Sequence, residues 1–129
     1  MERKIWIDGV FIDWNNASVH ILSHSHQRGS LMFGFSPIFE NENGTFIFRV
    51  DKHIERLFKS CLLAGIPINY KEDELIDAVF ATVKENPGSK FIKISVYIAS
   101  IEIDVVPQDP FTKVAIAAYE PQKDLIEKN

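Results

Sequence analysis

His53, Arg56 and Ser60 stand three and four residues apart, the spacing that puts side chains on one stripe of a helix. A guanidinium with a hydroxyl and an imidazole on the same stripe suits an anion, because the planar fork of arginine matches phosphate geometry. A solvated helix face is the plain alternative. Lys93 lies among apolar residues, with Phe91 and Tyr97 two and four positions away. It reads either as a surface lysine or as a cation awaiting a carboxylate in an aromatic recess. Arg28, beside Gly29, is a loop cation that could serve the same recess or remain solvated. His20, His24 and His26 have no carboxylate or cysteine at ligand spacing, so no metal is expected. Cys61 falls on an apolar helix stripe and reads as core, not nucleophile. Ser23, Ser25 and Ser30 lack a nucleophile-elbow context, and neither a phosphate-binding loop nor a dinucleotide glycine fingerprint is present.

The elements that must position these groups follow from periodicity. Ile5 and Ile7 alternate with Lys4, Trp6 and Asp8 up to Asp8-Gly9, a type I′ hairpin signal, and Val10-Phe11-Ile12 returns. The polar stretch from Ser23 to Ser30 reads as a loop. Leu31 to Phe39 reads as a strand with Phe33, Phe35 and Phe39 on one face. Asn43-Gly44 turns the chain into a return strand, Phe46-Ile47-Phe48. Asp51 is placed to cap a helix running to Ala64, closed by Gly65, with Ile54, Leu57, Phe58, Cys61 and Leu62 as its buried stripe. A second helix spans Glu72 to Glu85 with Leu75, Ile76, Val79, Phe80 and Val83 inward, and Asn86-Pro87-Gly88 stops it. Strands are expected at Phe91 to Ala99, Ile101 to Val105 and Phe111 to Tyr119.

Strands, two helices and strands again, joined largely by hairpins, predict an α+β fold: a mainly antiparallel sheet with two helices on one face. Phe33, Phe35, Phe91, Lys93 and Tyr97 would then line the other face, uncovered by this chain, so something else should pack there. The domain is expected over 1–121, with 122–129 a polar tail or the start of a linker. At 129 residues, 46% hydrophobic and 25% charged, the chain suits one globular domain. No apolar run is long enough for a membrane span, and one cysteine excludes an internal disulfide and fits a reducing cytoplasm. A net charge of −4 with scattered basic residues argues against nucleic acid as partner.

The string Ile5-Trp6-Ile7-Asp8-Gly9, then His24, Gly29 and Phe33, then Phe48-Arg49-Val50-Asp51-x-His53-Ile54-Glu55-Arg56-Leu57-x-x-Ser60, resembles fold-type IV pyridoxal-phosphate enzymes. Gly65-Ile66-Pro67-Ile68 continues the match, and Val19-His20-x-Leu22-Ser23-His24 is most similar to the branched-chain amino acid aminotransferases. The resemblance implies the small N-terminal domain of such an enzyme. It implies Arg56 as the ligand of the cofactor phosphate, and Arg28, Phe33 and Lys93 as substrate-binding residues. No residue of this chain takes a covalent catalytic role. The Schiff-base lysine and the carboxylate that holds the pyridine nitrogen fall on the second domain, so pyridoxal phosphate should bind only when that domain is supplied.

The implied reaction is amino transfer between an amino acid and a 2-oxo acid, in a cytoplasmic homo-oligomer completed by the C-terminal domain or a partner subunit. Three positions depart from the branched-chain pattern: Lys93 replaces an arginine, Arg28 a tyrosine, and Phe33-Gly34-Phe35 stands where Phe-Glu-Gly is usual. These changes point to a more acidic substrate or a lapsed site rather than strict leucine, isoleucine and valine specificity. Other readings are a non-catalytic interaction module of the same fold, or part of a family lyase or D-amino acid aminotransferase.

Overall fold

The computed structural model describes residues 2–103, 105, 106 and 111–127. Strands β1 (Lys4–Ile7) and β2 (Val10–Asp13) form the expected hairpin. Asp8 and Gly9 take φ of 46° and 91°, the left-handed pair that a type I′ turn requires. The stretch expected as a loop instead contains a short helix, α1 (His24–Arg28). The Ser23 hydroxyl accepts from the His26 N–H at its start, and Gly29, at φ 70°, closes it.

Strand β3 runs Leu31–Pro37, not on to Phe39. Proline has no N–H to continue a ladder, and Ile38 turns into the core. Phe39 therefore leaves the Phe33 and Phe35 face and joins a separate hairpin, β4 (Phe39–Asn41) with β5 (Gly44–Phe46). The return strand lies two residues earlier than the expected Phe46-Ile47-Phe48, because Ile47 leaves the hairpin and is buried.

Helix α2 (Val50–Ala64) starts one residue before Asp51, which lies in the first turn and caps nothing with its side chain. Its carboxylate still complements the positive end of the helix. Ile54, Leu57 and Cys61 are buried, and burial pushes the Cys61 thiol pKa up. Leu62 departs from the expected stripe and is 81% exposed. It lies about 80° around the helix from Ile54 at 3.6 residues per turn, beyond the seam that the sheet covers. Helix α3 (Glu72–Glu85) buries Leu75, Val79 and Val83, together with Ala78 and Thr82. Phe80, expected inward, is exposed, because the seam tilts toward the smaller Ala78 and Thr82 side. Asn86 is fully buried: its amide accepts from the Lys4 N–H at 2.8 Å and donates to the Lys4 and Thr82 carbonyls. One side chain thus joins the end of α3 to β1.

Strands β6 (Phe91–Ile98) and β7 (Thr112–Tyr119) complete a five-stranded antiparallel sheet of order β2-β1-β7-β6-β3. Ile92, Ile94, Val96, Val114, Ile116 and Trp6 meet the helix stripes in one core, so both helices cover the same face. The α+β single layer expected from the pattern is the observed architecture. No strand forms at 101–103: Ile101 makes one isolated bridge to Ser23, and α1 side chains occupy the next two carbonyls. Asp104, in the same expected strand, lies outside the described residues, as do Lys128 and Asn129 of the expected tail. Gln122–Ile126 forms a short helical turn that returns to the body through Asp124. Among the described residues no helix is long and apolar enough to cross a membrane.

The β1–β2 turn is also tied to the loop before α3. Asp8 accepts from the Val114 N–H at 3.0 Å and from the Tyr70 hydroxyl at 2.8 Å. Burial, and then this bond to a carboxylate, push the Tyr70 phenol up to about 12. A phenol pKa raised by folding means stability present below about pH 10 and lost as pH climbs toward 12. Ultraviolet titration should show the last phenolate step near 12; Asp8→Asn should lower it and Tyr70→Phe should abolish it.

Candidate functional site

The strand register decides which side chains share the uncovered sheet face. Phe33 and Phe35 on β3 stand there with Phe91, Lys93, Ser95 and Tyr97 on β6, as the alternation predicts. β7 adds Ala115, Ala117 and Tyr119, and β1 adds Ile5 and Ile7. The two alanines leave room, and a recess of about 580 Å³ opens above them, bordered by Lys93, Tyr97, Tyr119 and Trp14. The Lys93 ammonium sits 4.7 Å from the centre of the Phe33 ring, within cation–π range. Phe35 stacks on Phe91 at 5.0 Å between centroids. Phe33 is 60% exposed, a large cost for an aromatic ring with nothing beyond it.

Arg56 stands on α2, exposed, between half-buried His53 and Ser60. Its cationic neighbours are already engaged, since Lys52 and Lys59 both pair with Glu55. Those two bonds hold the Glu55 carboxyl below its ordinary range. Arg56 itself has no ion pair among the described residues. Its guanidinium is the kind of outward donor set a phosphate would take, on an element fixed by the core through Ile54 and Leu57.

Of the four residues singled out for binding, the fold brings Phe33 and Lys93 into contact and joins neither Arg28 nor Arg56 to them. Arg28, exposed at the end of α1, donates to the Ile103 carbonyl at 3.1 Å. His24 is buried with both ring nitrogens engaged. The Val105 carbonyl can only accept, so Nε2 donates to it at 2.8 Å, and Nδ1 shares a hydrogen bond with the Ser30 hydroxyl at 2.6 Å. No group of three side chains able to hold a metal occurs among the described residues. Sequence reasoning missed this polar cluster. The signal was present: a serine ahead of a glycine six positions later can bracket one short helix.

A second hollow, of about 600 Å³, lies between α2 and residues 66–68. Its one cation, Lys59, already serves Glu55, so this hollow offers an anion no unpaired cation.

No family model matches the chain. It is 33% identical over 116 residues to a branched-chain-amino-acid aminotransferase of Pseudomonas aeruginosa, covering 89% of this chain and 38% of that protein. The crystal structure of a branched-chain aminotransferase from Thermoproteus uzoniensis with norvaline is similar at TM-score 0.86 and 32% identity, over 93% of this chain and 41% of that one. The branched-chain amino acid aminotransferase of Escherichia coli aligns at TM-score 0.86 and 28% identity, over 93% and 40%. A further crystal structure of a branched-chain amino acid aminotransferase, this one with pyridoxamine 5′-phosphate, aligns at TM-score 0.85 and 26% identity, over 93% and 41%. The chain spans about two-fifths of the length of the relatives it matches, in their N-terminal portion.

Proposed function

We infer that this chain, which has the sequence and fold of the N-terminal part of fold-type IV aminotransferases, supplies the small-domain wall of a pyridoxal-phosphate site. The observation that carries this is Arg56, an outward guanidinium without an ion-pair partner among the described residues, on a helix whose other cations are spent on Glu55.

The residues present fit the cofactor at its phosphate end. Arg56 can donate two parallel hydrogen bonds to phosphate oxygens and neutralise part of their charge. When bound, pyridoxal phosphate supplies the electron sink through which an amino group passes between an amino acid and a 2-oxo acid. This chain's own residues bind and orient. Lys93 offers a single-point cation for a carboxylate, steadied by the Phe33 ring. Phe33 itself, with Phe35 and Phe91, presents an apolar wall that excludes water from the substrate side chain. The covalent lysine is proposed to come from a further segment outside these residues. The exposed aromatic face then receives that segment, and a second copy of the protein closes the cleft.

The test is a titration of the protein as encoded with pyridoxal phosphate, followed by visible absorption. Saturable binding that inorganic phosphate displaces is expected. Absence of saturable binding overturns the reading.

A further inference from the structure

Three side chains of the five-residue helix α1 reach one stretch of backbone more than seventy residues away. Gln27 Nε2 donates to the Glu102 carbonyl at 2.9 Å, Arg28 Nη2 to Ile103 at 3.1 Å and His24 Nε2 to Val105 at 2.8 Å. The His24 main-chain N–H adds a bond to the Ser100 carbonyl at 2.9 Å, and Ser23 bridges Ile101. Ser100 is buried and donates to the Glu102 carboxylate at 2.7 Å, but the apolar side chains of the stretch are not buried. Ile103 is 88% exposed, and Ile101, Val105 and Val106 are exposed with it. Apolar side chains that face water give a segment no anchor, which leaves the bonds that its carbonyls receive to tie the backbone to α1.

We propose that His24, Gln27 and Arg28 form a backbone clamp on residues 100–103, 105 and 106, and that Arg28 is a positioning residue of this clamp rather than a substrate-binding cation. The clamp sits beside the open recess, because Ser25 and His26 of α1 meet Tyr97 across a hollow bordered by Leu31 and Val19, and Tyr97 also lines the recess. Helix α1 thus lies between the stretch and that hollow: it bonds the stretch through Gln27 and Arg28 and borders the Tyr97 hollow through Ser25 and His26. Arginine suits this position because its long stem clears the helix end while the head still reaches a carbonyl. One of its five N–H groups is thereby committed to its own chain's carbonyl.

The part of this inference that concerns substrate rests on the aminotransferase reading; the clamp itself does not. The test is backbone ¹⁵N relaxation on the chain in three forms: unaltered, Arg28→Ala and Gln27→Ala. In the unaltered chain the amides of Ile101, Glu102, Ile103 and Val105 should have order parameters near 0.85, roughly the value of a rigid backbone. Either substitution should lower them toward about 0.6, while β6 amides stay unchanged. Order parameters that do not change in both variants overturn the clamp. In the protein as encoded, the two variants should raise KM for an amino acid alike. A rise confined to Arg28→Ala, and larger for a dicarboxylic amino acid, would restore Arg28 as a substrate cation. Failure of transamination in the unaltered protein would count against the aminotransferase reading alone, since the relaxation data decide the clamp without a cofactor.

Discussion

Replacing Arg56 with alanine should weaken pyridoxal phosphate binding by about 10- to 150-fold, the range set by loss of a charge-assisted hydrogen-bonded contact. The fold should hardly register the change. Arg56 is exposed and forms no ion pair among the described residues, and a surface substitution of that kind usually moves stability by less than about 0.5 kcal/mol. Arg56→Lys separates charge from geometry: it keeps a cation at the site and loses the fork, so an intermediate affinity is expected. His53→Ala and Ser60→Ala should have smaller effects, because neither removes the guanidinium fork. Spectroscopic titration of the four variants against thermal melts separates binding from folding. Equal affinity of Arg56→Ala and the unaltered protein would remove Arg56 from the phosphate site.

Breaking the buried pair between Arg3 and Asp124 should cost about 3–5 kcal/mol of stability, the usual penalty for stranding one charge in a site closed to water. The two side chains are about equally buried, and Arg3 Nε donates to Asp124 Oδ2 at 2.8 Å. The same carboxylate oxygen accepts from the Glu120 N–H at 2.7 Å, and Arg3 Nη1 donates to the Pro87 carbonyl at 2.7 Å. One ion pair thus gathers the start of the chain, the loop after α3 and the turn at Gln122–Ile126. Arg3→Met and Asp124→Leu alone should each shift urea unfolding to much lower concentration. The double variant should recover most of the loss, since a hydrophobic pair of similar volume avoids the desolvation cost that the ions carry. Single-variant losses below about 1 kcal/mol would contradict the burial of the pair.

Much of the fold was legible because the relevant physics is local. Asp8-Gly9 specifies a left-handed turn through its own backbone preferences. Gly65 ends α2 at φ 73° for the same reason. Ile54, Leu57 and Cys61 recur at the helical period, so their common face could be read from spacing alone, and with it the outward direction of Arg56. Alternation along Phe91 to Ile98 likewise separated Lys93 and Tyr97 from the core side.

What the spacing leaves open is where one element ends up against another. Leu62 and Phe80 carry the right residue type for a buried stripe, yet the seam between helices and sheet passes beside them. The expected strand at Ile101 is lost because donors from α1 take carbonyls a ladder would have used. Meeting of Lys93 and Phe33 requires β3 to pair with β6 in one register among several.

By itself, then, the order of residues determined the α+β architecture, the Asp8-Gly9 turn, the centre of each helix stripe and the likeness to aminotransferase small domains, because each depends on neighbours a few positions apart. Only the tertiary structure decided that Arg28 points to Ile103, that His24 is a buried bridge, and that Arg3 closes on Asp124. Those contacts join residues separated by 75 to 121 positions. No periodicity encodes such pairs: they exist only once the sheet has set its register and carried distant segments to the same edge.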